Sequence, residues 1–93
     1  MTHQELEEIL ATYIQHLQNK DNPSFAFRAT KKTYQSKNIS IEDWNALCDD
    51  LRVMDSDVNS TKAAMQAVVE YLEDFPDIWH NFTVHGNLTV DNT

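Results

Sequence analysis

Residues 2–17, THQELEEILATYIQHL, decide the fold. Leu6, Ile9, Leu10, Tyr13, Ile14 and Leu17 recur at three- and four-residue steps, so a helix over 3–18 lines all six on one face. Its start is marked twice. Thr2 and Glu5 have the spacing of a capping box, and Met1 with Leu6 that of a hydrophobic staple. Asp21, Asn22 and Pro23 supply the turn chemistry that ends it.

Working outward from this helix, the pattern predicts three more. A second, over about 24–36, starts at Ser24 as N-cap and offers Phe27, Ala29, Thr33 and Tyr34 for packing, although Phe25 and Phe27 also alternate as in a strand. A third, over 41–54, starts at Ser40 and Asp43 with Ile39 and Trp44 at staple positions, and its stripe runs through Leu47, Cys48, Leu51 and Met54. A fourth, over 58–75, follows Ser56 or Asn59 as N-cap, and its broad apolar face from Ala64 to Phe75 suits a central element. Pro76 either ends that helix or opens a short fifth one. Beyond it, Phe82, Val84, Leu88 and Val90 alternate with polar residues around His85-Gly86-Asn87, the pattern of a small hairpin or an extended tail over the last part of 76–93. The expected fold is therefore a mainly all-α bundle of about four helices in one domain over 1–93, with this C-terminal appendage.

Composition narrows the function classes. One Gly and two Pro leave few sharp turns, and no apolar run approaches the length of a membrane span. The polar, acidic N-terminal stretch is unlike a secretory signal, so a cytoplasmic protein is expected. The sequons at Asn38, Asn59, Asn81 and Asn87 carry no weight on that reading. Cys48 is the single cysteine, which excludes an internal disulfide and a cysteine-rich zinc site. A net charge of −8 repels phosphate backbones and anionic lipid, which argues against nucleic acid and membranes as partners.

No constellation assembles a catalytic or cofactor site. Asp55, Asp57 and Asn59 match the first positions of a calcium loop, but Ser60 stands where the turn needs Gly and Gln66 where a bidentate Glu closes the cage. His3, His16, His80 and His85 lack metal-finger spacing. The adjacent acids Glu7–Glu8, Asp49–Asp50 and Glu73–Asp74 diverge by about 100° on a helix, which makes solvated faces of them. No metal, cofactor or enzyme signature is read here, and a non-enzymatic protein is expected.

Two features remain. Arg28, Lys31, Lys32 and Lys37 are four of the seven basic residues and cluster at the second helix. In a helix-turn-helix Arg28, Lys31, Lys32 and Gln35 would lie on the element that enters the groove, whereas as a neutralising stripe the basic residues would pair with acids of the same bundle. Phe75, Ile78, Trp79 and Phe82 would share one face of a fifth helix, either closing the bundle or anchoring in a partner through Trp79 and Phe82. A core this small favours closure.

The expected function is a protein-binding regulator or inhibitor that meets a basic partner through Asp49, Asp50, Glu70 and Glu73, with self-association also open. Bacterial or phage immunity proteins, anti-defence inhibitors and nucleic-acid mimics share this size and charge as a class. The alternative is a nucleic-acid binder using Arg28, Lys31 and Lys32.

Overall fold

The computed structural model describes the backbone of residues 1–85 and the side chains of residues 1–82. Five α-helices and no strands occur among them: α1 (His3–Gln18), α2 (Pro23–Thr33), α3 (Ile41–Asp50), α4 (Thr61–Tyr71) and α5 (Pro76–His85). Short 3-10 turns over Gln35–Lys37 and Leu72–Asp74 extend α2 and α4.

Local hydrogen bonds fix where the helices begin. The capping box of α1 is complete: the Glu5 N–H donates to Thr2 Oγ1 at 3.1 Å, and the Thr2 N–H donates to Glu5 Oε1 at 2.9 Å. That backbone bond, more than any other influence, holds the Glu5 carboxyl below its ordinary range. Ser40 caps α3 by accepting from the Asp43 N–H at 3.1 Å. The start expected at Ser24 is corrected: Asn22 Oδ1 accepts from the Phe25 N–H at 2.8 Å, and Pro23, with no N–H to satisfy, takes the first helical position. For α4 the cap is Ser60, later than either expected residue, and Val58 stays in the preceding loop as a buried plug.

Helix ends depart further from expectation. α3 stops at Asp50 instead of 54 because Arg52 turns left-handed at φ 56°. The Val53 N–H then bonds Cys48 O and the Arg52 N–H bonds Asp49 O, both at 3.1 Å, closing a Schellman motif. α1 ends in the same way at Lys20, φ 71°, with bonds from Asp21 to His16 O and from Lys20 to Leu17 O. Met54, expected on the apolar stripe of α3, is consequently 77 % exposed. α2 ends at Thr33, which is exposed, and Tyr34 turns its hydroxyl onto Thr12 Oγ1 at 2.8 Å and Glu8 O at 3.1 Å.

The central element is α1, not α4. Leu6, Ile9, Leu10, Tyr13, Ile14 and Leu17 are all buried, and α1 packs against both α2 and α4. Burying each aliphatic side chain of this kind contributes about 1.5–3 kcal/mol. α4 contributes the smaller Ala64, Ala67 and Val68, which let it approach α1 closely. Phe27 links the layers, meeting Tyr13 on one side and Trp44 on the other, edge to face. Pro76 opens α5, whose Ile78 and Phe82 join the core. The helix runs on to His85, so the first arm of the expected hairpin is helical, while Gly86 to Thr93 lie outside the described residues.

Candidate functional site

Along α3, Asp43, Ala46 and Asp50 stand at i, i+3 and i+7, a single ridge two turns long. This ridge lines a groove of about 290 Å³ together with Tyr71 and Phe75 from the end of α4 and with Met1, His3 and Leu6. A second hollow of about 390 Å³ continues from it, sharing Asp50, Tyr71 and Phe75 and adding Arg52, Glu70 and Asp74.

The floor is aromatic. Tyr71 and Phe75 lie with ring centroids 5.1 Å apart, and His3 meets Phe75 at 6.1 Å. Both Tyr71 and Phe75 are half-buried. Burial pushes the Tyr71 phenol up, and the nearby carboxylates of Asp50 and Asp74 push it the same way. Asp43, Asp50, Glu70 and Asp74 line these two hollows against two cations, Arg52 and the Met1 amino group. That guanidinium is already engaged by Asp55 at 3.2 Å and reaches Glu70 at 4.0 Å. The Met1 amino group sits 3.0 Å from Asp43 Oδ2, so the rim already holds one ammonium group. Carboxylates above aromatic faces attract cations through both ion pairing and the ring quadrupole.

Of the acidic residues expected to meet a partner, Asp50 and Glu70 come together here. Asp49 is exposed and lines neither hollow. Glu73 lines a further groove of about 450 Å³ with Val69, Pro76 and Trp79, which shares Glu70 with the second hollow. The expected aromatic face of α5 is divided: Trp79 borders that groove half-buried, while Phe82 is 1 % exposed and closes the bundle with Ile78. Asp43, Asp74, Tyr71, Phe75 and His3 are the site residues that sequence reasoning missed. The seven-residue spacing of Asp43 and Asp50 and the four-residue spacing of Glu70 and Asp74 are the available signals, and both are stronger than the adjacent pairs.

Arg28, Lys31 and Lys32 are exposed along the outer face of α2, with Gln35 just beyond it. They make no ion pair with an acidic neighbour among the described residues, whereas Lys37, the fourth basic residue of the expected stripe, acts through its charge on the Glu5 carboxyl. The ion pairs among the described residues join Met1 to Asp43, His16 to Asp21, and Arg52 to Asp55 and Glu70, and none draws on α2. Phe25, on the same side as Arg28 and Lys32, is 56 % exposed.

The other expected constellations have structural uses. Asp55 Oδ1 accepts from the Asp57 N–H at 2.9 Å and Oδ2 from Arg52 Nε at 3.2 Å, which hold its carboxyl below the ordinary range, backbone bond first. Cys48 is half-buried, and burial raises its thiol, the opposite of an activated nucleophile. Among the described residues, no three His, Cys, Asp or Glu side chains cluster to hold a metal ion. No helix among them is long and apolar enough to cross a membrane. No family model matches the chain, and no curated protein or solved structure is significantly similar to it.

Proposed function

We propose that the protein is a non-enzymatic protein-binding module that receives a basic segment of another protein in the groove between α3 and the end of α4. The observation that carries this reading is the placement of Asp43, Asp50, Glu70 and Asp74 along two connected hollows that share the half-buried Tyr71–Phe75 pair. A lysine or arginine side chain entering there lays its methylene stem on the rings and its charge among the carboxylates. A module of this kind acts as a regulator or inhibitor by covering a basic surface that another molecule needs. This is the working mode of small acidic immunity proteins, anti-defence inhibitors and nucleic-acid mimics as a class.

The test is calorimetric titration with a short arginine- and lysine-rich peptide. The expected result is saturable binding that weakens as salt is added, is lost in Asp50→Lys/Glu70→Lys, and persists in the charge-matched control Asp49→Lys/Glu73→Lys. Equal loss in the control would reduce the effect to bulk charge and overturn the groove.

A second reading draws on α2. Its Arg28, Lys31 and Lys32 are exposed and make no ion pair among the described residues, and the four residues between α1 and α2 suit a helix-turn-helix connection. Few phosphate contacts and a surrounding acidic field weigh against it. Fluorescence anisotropy with random duplex DNA at low salt decides: saturable binding that Lys31→Glu/Lys32→Glu removes would favour α2 over the groove.

A further inference from the structure

We infer that a second copy of this chain is a ligand for the groove, the outer ridge of α2 on one copy seating in the acidic groove of the next. The inference rests on the groove being a site for basic segments and names one segment that fits it.

Three observations match the two surfaces. The first is charge: Arg28, Lys31 and Lys32 project from α2 and make no ion pair among the described residues, and the four carboxylates of the groove outnumber its two engaged cations, the Arg52 guanidinium and the Met1 amino group. The second is shape. Phe25, Arg28 and Lys32 follow one line along α2, spanning seven residues or about 10.5 Å, the same rise that separates Asp43 from Asp50 on α3. Between those two acids stands the small, exposed Ala46, which leaves room for a helix to approach. The third is apolar content: the exposed ring of Phe25 is of the kind that the Tyr71–Phe75 floor can cover.

One chain cannot satisfy its own groove. α2 is held against the core by Ala26, Phe27 and Thr30, all buried. Phe27 of α2 meets Trp44 of α3 at 5.9 Å, and position 44 lies about 160° around α3 from Ala46 and about 120° from Asp50, both groove residues. The ridge and the groove therefore flank α3 on opposite sides. Two unlike patches on one molecule make a heterologous contact, which propagates head to tail. The net charge of −8 opposes this at long range, but a Debye length of about 8 Å at physiological ionic strength screens that repulsion more than the close pairs.

Sedimentation equilibrium of the full chain at physiological ionic strength tests the inference. The weight-average mass of the wild type should climb with concentration above that of one chain and return to it in molar salt. Lys31→Glu/Lys32→Glu and Asp50→Lys/Glu70→Lys should each stay monomeric, and mixing the two variants should restore association, because each reversed surface then meets a complementary one. Restoration also shows that both variants are folded. A wild type that stays monomeric at every concentration, or reversed variants that associate as the wild type does, would overturn the inference. The basic-peptide titration on the same sample separates the two levels: peptide binding by a monomeric protein removes only the second copy, whereas failure of both removes the groove.

Discussion

The ring of Phe27 meets the ring of Tyr13 edge-on, with centroids 6.0 Å apart and planes at 83°. This contact joins α2 to the most deeply buried part of α1, and Phe27 repeats it with Trp44 of α3 at 5.9 Å and 87°. Three helices are thereby pinned by one chain of rings. Tyr13 is 0 % exposed, and its hydroxyl meets no hydrogen-bonding group among the described residues. The ring packs well while its polar tip is a cost, because a buried hydroxyl without a partner forfeits its hydration.

Tyr13→Phe should therefore raise stability by about 1 kcal/mol, since it removes the unpaired hydroxyl and keeps the ring contacts. Urea denaturation with an unchanged slope is the measurement. A loss of similar size would mean that the hydroxyl is satisfied.

The same hydroxyl couples stability to alkaline pH. Burial pushes the Tyr13 phenol above its ordinary value, with the neighbouring Cys48 adding to the rise. A folded pKa above an unfolded value of about 10 leaves stability intact below pH 10 and withdraws it as pH rises further, because only the unfolded chain then releases the proton. The unfolding midpoint should fall more steeply above pH 10 in the wild type than in Tyr13→Phe. Parallel curves would assign the alkaline loss to other groups, the half-buried Tyr71 among them.

Trp44→Ala should destabilise the fold by about 3–5 kcal/mol, a large share of what a domain of this size holds. Trp44 is 4 % exposed, it is the far end of the ring chain, and Ile39 packs at the edge of the same cluster. Chemical denaturation with an unchanged midpoint would remove Trp44 from the core.

What the sequence makes legible here is what local chemistry decides. The starts of α1 and α3 can be read because Thr2 and Ser40 act on amides three residues away. The ends cannot, because a left-handed residue after a helix is normally sought as Gly or Asn, and α1 and α3 use Lys20 and Arg52. α4 reads as the central helix from its apolar count, but its alanines make it a thin layer, and the larger side chains of α1 fill the middle. The groove was half visible. Asp50 and Glu70 belong to it, yet their meeting depends on how α3 and α4 dock, which no periodicity within either helix encodes.

Lys20→Gly should stabilise the protein, by up to about 1 kcal/mol. Lys20 holds φ 71° in the Schellman turn of α1, where a side chain costs about 1–2 kcal/mol and glycine costs nothing sterically. Part of that gain is returned through the greater freedom of glycine in the unfolded chain. Thermal unfolding of the two proteins compares them, and a lower midpoint for the variant would show that the lysine side chain contributes more than the backbone strain costs.

The last prediction separates the groove from the acidic surface as a whole, through kinetics. A partner carrying a basic segment is drawn in by the field of all the carboxylates, so association slows with salt whichever acids make contact. The local contribution is different in kind. Asp50→Lys/Glu70→Lys places cations beside the Tyr71–Phe75 floor, and should both slow association, by about tenfold at low salt, and speed dissociation. Asp49→Lys with Glu73→Lys makes the same change in net charge at positions outside the two connected hollows, and should slow association while leaving dissociation near the wild-type rate. Reversal of Arg28, Lys31 and Lys32 leaves the rim intact, and should not weaken the complex at protein concentrations where single chains prevail. All these positions are exposed, where substitutions seldom change stability by more than about 0.5 kcal/mol, so circular dichroism should be unchanged in each variant. Surface plasmon resonance with an immobilised arginine- and lysine-rich peptide across a salt series reads both rates. If the two acidic pairs behave alike, the binding follows bulk charge and the groove is not its seat.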